Sequence, residues 1–209
     1  MTDLPSSFHP ENRSLDTWPV DLDGVVETII STKCSDGTYH HAAIGLRDGD
    51  GTAAAARTWG QTVTASNLSR STSGTIQILA DPLVFVEASL GTYQTPNPVL
   101  ESANAWIRAD AECINRGEEG GTKWTDWQFT PQSGDTVRQD IPVIRRGRAA
   151  VIEATVAASR LCVPSYDSDI LLNRIEWCRS IVERCGCTRS EQAFLRLTEL
   201  VDHSQIEPI

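Results

Sequence analysis

Val25-Val26-Glu27-Thr28-Ile29-Ile30-Ser31-Thr32, the turn Ser35-Asp36-Gly37-Thr38 and the returning run His41-Ala42-Ala43-Ile44-Gly45-Leu46 decide how this chain folds. The first run is rich in β-branched side chains, which sit well on a pleated surface and crowd a helix. Asp36-Gly37 supplies a residue that accepts a positive φ, so the two runs read as an antiparallel hairpin. Asp48-Gly49-Asp50-Gly51 signals a second turn, and residues 52–59 a third strand. That second turn lacks the third acidic ligand and distal Glu of a calcium-binding loop, so it reads as a hairpin connection.

Working outward, Thr64–Arg70 predicts a short helix with Thr62 or Thr64 as its N-cap. Residues 74–79 predict a strand closed by Asp81-Pro82, and residues 83–90 a helix ended by Gly91. Residues 92–100, with Pro96 and Pro98, read as loop. Two long strands follow, Ala103–Asn115 and Lys123–Phe129 with an extension toward Val137, joined by a turn over Arg116–Gly121. Trp124 and Trp127 on the second belong to a core or interface, with ligand stacking as the other role such a pair can take. After Pro142 the apolar period becomes 3.6, predicting helices over 149–161, 170–184 and 190–201. Upstream, residues 1–20 read as a loose lead-in. Short antiparallel strands with Gly turns predict a barrel rather than a parallel sheet. The expected class is α+β, mainly β: an antiparallel barrel domain over 21–142 and a helical segment over 143–209.

Composition narrows the function. The 209 residues, 40% apolar, suffice for a sizeable core, and no apolar run approaches the ~18 residues of a membrane helix. A net charge of −10 argues against nucleic acid as the main partner, because the surface repels phosphate backbones. Met1–Asn12 is polar and does not read as a signal peptide, so a cytoplasmic location is expected. The six cysteines are then expected as free buried thiols. Cys185-Gly186-Cys187 reads as a helix end, since a zinc site wants a second close pair and a redox pair is usually C-x-x-C. No metal site is expected. His40 and His41 are adjacent on a strand, so they face opposite ways and cannot share a metal; surface or interface imidazoles are expected. Arg145-Arg146-Gly147-Arg148 reads as a solvated basic face. There is no nucleophile elbow, Walker loop or HExxH pattern.

Thr62-Val63-Thr64-Ala65-Ser66-Asn67-Leu68 is the segment where chemistry is best placed. Its hydroxyls lie where a strand ends and a helix begins, beside unpaired backbone N–H groups and the positive end of the helix dipole. Such a start is either a well-capped helix with no ligand or a phosphate cradle that needs no net positive charge. Arg57 stands near enough in sequence to add a charge-assisted contact.

The run Glu27–Leu90 resembles the split-barrel flavoprotein superfamily of flavin reductases and flavoredoxins, and within it the FMN-binding family of domain of unknown function 447. The residues that carry the resemblance are Glu27–Thr32, Asp36-Gly37, Ala42–Gly45, Thr64 with Asn67-Leu68, Gly74–Ile78 and Asp81–Ala88. In the tail they are Ala150–Thr155 with Ser159-Arg160-Leu161. The resemblance implies a homodimeric split barrel binding FMN near the subunit interface, with the ring against the first strands and contacted largely by backbone. Carried over, Ser31, Thr32, Ala42, Ala43 and Ile44 would meet the ring; Thr62, Thr64 and Asn67 would meet phosphate or ribityl, with Arg57 as charge partner. Asn67 has a structural role open to it as well, fixing the turn through its amide. The chain departs from the pattern at Ala43, where relatives often carry Pro, at Gln77, where Asn is common, and at Ala157-Ala158-Ser159, where a His is expected. The implied activity is a flavin-dependent oxidoreductase acting on an unidentified small molecule; a non-enzymatic split-barrel module without flavin is the alternative.

Overall fold

Strand β1 (Val26–Lys33) is buried along both faces from Thr28 to Thr32, which is why its sequence is continuously β-branched rather than alternating. Ile30 points into one core and Ile29 into another. The structure, a computed structural model, describes residues 17–49 and 51–206. Most of the predicted lead-in and Asp50 of the Asp48–Gly51 turn lie outside the described residues; Trp18, Val20 and Leu22 pack on the barrel core.

Strands β2 (Tyr39–Asp48), β3 (Ala54–Trp59), β4 (Ser73–Leu79), β6 (Ala103–Glu119) and β7 (Thr122–Thr136) join β1 in an all-antiparallel ring ordered β1-β4-β6-β7-β3-β2 and closed by β1–β2 pairing. The predicted antiparallel barrel is thus the observed one. Its interior is filled by Ile30, Leu46, Ile76, Trp127 and Phe129, all essentially without solvent contact. Helix α1 (Val63–Ser71) crosses from β3 to β4, and Leu68 plugs that side of the core. Helix α2 (Pro82–Leu90) starts as the sequence predicts, with Asp81 as N-cap and Pro82 in the first turn. Val86 of α2 joins the apolar core of α3 (Arg146–Ala158), α4 (Ser168–Cys185) and α5 (Thr188–Ile206). The tail therefore packs against the barrel through α2, reinforced by Arg189–Asp81 and Arg196–Glu87 ion pairs, each at 2.6 Å.

Three boundaries differ from the sequence-based expectation. The loop over 92–100 contains a strand, β5 (Tyr93–Thr95), paired with Tyr39–His41 of β2. The turn expected over Arg116–Gly121 is narrower, because Gly120 (φ 57°) and Gly121 (φ 78°) make the reversal by themselves and β6 continues to Glu119. Helix α3 begins at Arg146, inside the basic cluster, and Arg145 offers no side-chain cap bond that could have signalled it. Cys185 ends α4 and Gly186 caps it, so the Cys-Gly-Cys run is a helix end. All six cysteines are free, but only Cys178 is fully buried; Cys162, Cys185 and Cys187 are exposed at helix ends and loops, against the expectation of buried thiols. No helix among the described residues is long and apolar enough to cross a membrane.

Candidate functional site

Barrel closure leaves a gap. One edge of β2 pairs with β1 from Tyr39 to Leu46. The other edge pairs with β5 at residues 39–41 and with β3 at residues 47–48, and residues 42–46 have no strand partner there among the described residues. A cavity of about 550 Å³ opens along this unpaired stretch, within the ~300–1,000 Å³ range typical of small-molecule sites. Ala42–Gly45 line it from β2, and small side chains there leave the backbone approachable.

On the α1 side, Thr62 is the N-cap, extended in backbone, with its Oγ1 accepting from the Ala65 N–H at 3.1 Å. The Thr62 hydroxyl hydrogen remains free to donate. The N–H groups of Val63 and Thr64 precede the first intrahelical acceptor, which is taken by Ser66. Thr62 and Thr64 line the cavity together with Arg57. Arg57 is held by Asp126, Nε to Oδ1 at 2.6 Å and Nη2 to Oδ2 at 3.0 Å, with its guanidinium 4.0 Å from the Trp124 ring centre and 5.3 Å from that of Trp59. The hydrogen bond from Arg57 holds the Asp126 carboxyl below the ordinary range. Two of the donor nitrogens are thus used, and Nη1 has no hydrogen-bond partner among the described residues.

Six of the nine sequence-predicted residues, Ala42, Ala43, Ile44, Arg57, Thr62 and Thr64, come together on this cavity. Ser31, Thr32 and Asn67 do not line it; all three are buried. Asn67 donates to Thr32 Oγ1 (3.1 Å) and accepts from Arg70 (3.0 Å); it lies within α1 and ties that helix to β1 instead of fixing a turn. Ser31 belongs to a buried relay with a single consistent direction. Leu100 N–H donates to Gln77 Oε1, Gln77 Nε2 to Ser31 Oγ, and Ser31 pairs with His41 Nδ1, each at 2.6 Å. His41 Nε2 pairs with Thr95 Oγ1, whose hydrogen goes to the Asn97 carbonyl, both at 2.7 Å. Because Thr95 donates onward, His41 must donate from Nε2 and accept at Nδ1, which is the neutral imidazole. Burial, with the neighbouring His40 adding to it, pushes the His41 pKa down to about 4. The expectation of a surface or interface imidazole is corrected for His41: it is fully buried, with Ser31 on one ring nitrogen, Thr95 on the other and the Tyr93 ring 5.1 Å away.

Several cavity residues were not among the site residues expected from sequence. His40 contributes a buried Nδ1 with no hydrogen-bond partner among the described residues, and burial lowers its pKa. Glu27 lies across from Gly45 in the β1–β2 register. Burial raises its pKa, the charge of Arg160 opposes that rise, and Glu153 adds to it. Arg160 and Tyr166 come from the end of the α3 segment and the loop after it. The 3.6 period reveals that α3 exists but not which strand it faces, so this wall has no local sequence signal.

Residues 26–138 match the family model described as "Protein of unknown function (DUF447) N-terminal domain", and residues 145–199 match its companion, "Protein of unknown function (DUF447)". Among solved structures, an FMN-bound DUF447 protein from Methanosarcina mazei is similar over 85% of this chain and 95% of its own, with 24% identity and a TM-score of 0.71. The styrene monooxygenase flavin reductase from Pseudomonas putida S12 is similar over 57% of this chain and 93% of its own, at 12% identity and a TM-score of 0.43. A flavoredoxin from Methanosarcina acetivorans is similar over 56% of this chain and 72% of its own, at 9% identity and a TM-score of 0.41. No curated protein matches the chain.

Proposed function

This chain belongs to the DUF447 family of proteins of unknown function, and from that premise we propose that it is an FMN-binding split-barrel protein. The observation that carries the reading is the meeting of two features in one cavity: the donor-rich start of α1 and the unpaired edge of β2. The donor set fits the cofactor. The Thr62 and Thr64 hydroxyls, the free N–H groups of Val63 and Thr64 and the Arg57 guanidinium suit a phosphate dianion inside an acidic protein. The edge of Ala42–Gly45 offers main-chain groups to a planar heterocycle, and the orphaned Nδ1 of His40 offers another polar contact. Ser31, Thr32 and Asn67 support the site without lining it. The family relative from Methanosarcina mazei is FMN-bound, which favours the same ligand here.

Bound FMN would supply hydride or electron transfer, making a flavin-dependent oxidoreductase the proposed activity. This chain's residues would anchor the phosphate, set the ring along β2 and exclude water through α2 and α3. We further propose a cytoplasmic homodimer; for the dimer, Trp59 at the cavity and Val63 in the first turn of α1, 47% and 48% exposed, leave apolar surface for a second copy to cover.

Thr62→Asp separates capping from phosphate binding. Aspartate is as good an N-cap as threonine and favours the dipole, so the melting temperature should hold or rise. A carboxylate facing the phosphate should weaken FMN binding by roughly a hundredfold or more. Flavin-fluorescence titration and the flavin absorbance retained after desalting measure this. Wild-type protein that stays colourless after incubation with excess FMN sinks the flavin reading; a Thr62→Asp variant with unchanged affinity moves the phosphate elsewhere.

A further inference from the structure

Arg160 sits on the α3 wall of the cavity with nothing to hold. Its guanidinium carbon lies over the Tyr166 ring, 5.3 Å from the ring centre, a cation–π contact that uses none of its N–H groups in a hydrogen bond. Among the described residues, no hydrogen bond or ion pair engages its N–H fork. Glu27 lines the same cavity and feels the charge of Arg160, yet the two do not approach within ion-pair distance. A cation and an anion that share one cavity without pairing leave both heads for something else. The cation is also costly to ignore: in a chain of net charge −10, Glu27 and the nearby Glu119 would otherwise make this wall repel anions.

We infer that Arg160, backed by Tyr166, is the binding residue for the carboxylate of a small organic acid, the substrate class of this cavity. The inference rests on the flavin reading above in taking the α1 end for the cofactor phosphate and the α3 end for the substrate. A planar guanidinium fork matches a carboxylate with two parallel hydrogen bonds. Glu27, as an acceptor beside it, favours an acid that also carries a hydroxyl or amino hydrogen. Because the guanidinium lies against Tyr166, its fork is already oriented, and a ligand need not immobilise a free arginine.

The test uses benzoate as probe and benzamide as its uncharged isostere, titrated calorimetrically into the purified full chain, with and without FMN. Benzoate should bind saturably and benzamide at least about tenfold more weakly, since it lacks the charge. Arg160→Gln should lower benzoate affinity by about tenfold or more while leaving FMN affinity within about twofold of wild type. Arg160→Lys, which keeps the charge but not the fork, should fall between them; it also serves if the glutamine variant does not fold. Absence of benzoate binding to the wild type in both forms overturns the inference, as does binding that Arg160→Gln and Arg160→Lys leave unchanged. If Arg160→Gln costs FMN affinity as much as Thr62→Asp does, the guanidinium serves the cofactor and the substrate assignment falls. If FMN fails to bind while benzoate still depends on Arg160, the carboxylate site stands and the flavin reading is what has failed.

Discussion

His41 shows how much a single residue can decide in this molecule. Its two ring nitrogens join β1 and β4, through Ser31 and Gln77, to β5 through Thr95. A neutral ring satisfies every partner; a second proton on Nδ1 would face the Ser31 hydroxyl and break the direction of the relay. The pH consequence follows in sign. The unfolded histidine takes up a proton near pH 6.5, whereas the folded one resists to about pH 4. The unfolded state therefore binds more protons throughout that window, and stability falls as pH falls through it. From pH 7 to pH 5 the loss from this residue should be about 2 kcal/mol. Urea unfolding at both values measures it, and His41→Gln should flatten the dependence; an unchanged slope would assign the titration to another group. Ser31 and His41 are cross-strand partners, so they share a face. That parity was legible in the sequence, but the pairing of β5 with β2 that brings Thr95 to the ring was not, and so Ser31 reads as a ligand contact when its partner is a histidine.

At the scale of elements, what the sequence disclosed and what it hid divide along local against nonlocal causes. The helix start at Thr62 was legible because a cap acts within four residues, as it does at Asp81. β5 was not, because a three-residue strand between Gly91 and Pro96 exists only through its pairing with β2 and the Thr95–His41 bond. The length of β6 was hidden for a related reason. Its outer end is held by cross-strand packing, where Gly117 lies opposite Trp124 and a Cβ on Gly117 would come 2.3 Å from the indole. Trp124 thus lies flat over a residue with no side chain, and Arg57 stacks on it. Gly117→Ala should displace the indole, destabilising the chain by about 1–3 kcal/mol and shifting tryptophan emission. Because Arg57 rests on that ring, its grip on Asp126 should loosen as well. A variant as stable as wild type, with unshifted emission, would show that the indole has room to move.

For the whole molecule, the helical layer and the barrel are two cores joined through α2, and the cavity lies where they meet along β2. The sequence disclosed both layers from their different periodicities. It could not disclose the cavity, which arises only when the α3 end, with Arg160, is set against the edge of β2. That edge has a measurable signature. Amides of residues 42–46 that point away from β1 should exchange with solvent faster than those of residues 28–32, whose strand is paired on both sides at Ile29–Ser31. Saturating FMN should slow exchange at 42–46 if the ring lies there, and exchange insensitive to FMN would place it elsewhere.

The unzipped stretch of β2 also carries a risk. Free main-chain groups in extended conformation are a template for any passing strand, and edges of this kind begin unwanted self-association. Gly45, within the stretch, has no side chain of its own, and Val25 packs over it, 2.7 Å from where a Cβ would be. A ligand lying along residues 42–46 would therefore do more than bind: it would cover the seam against a foreign strand.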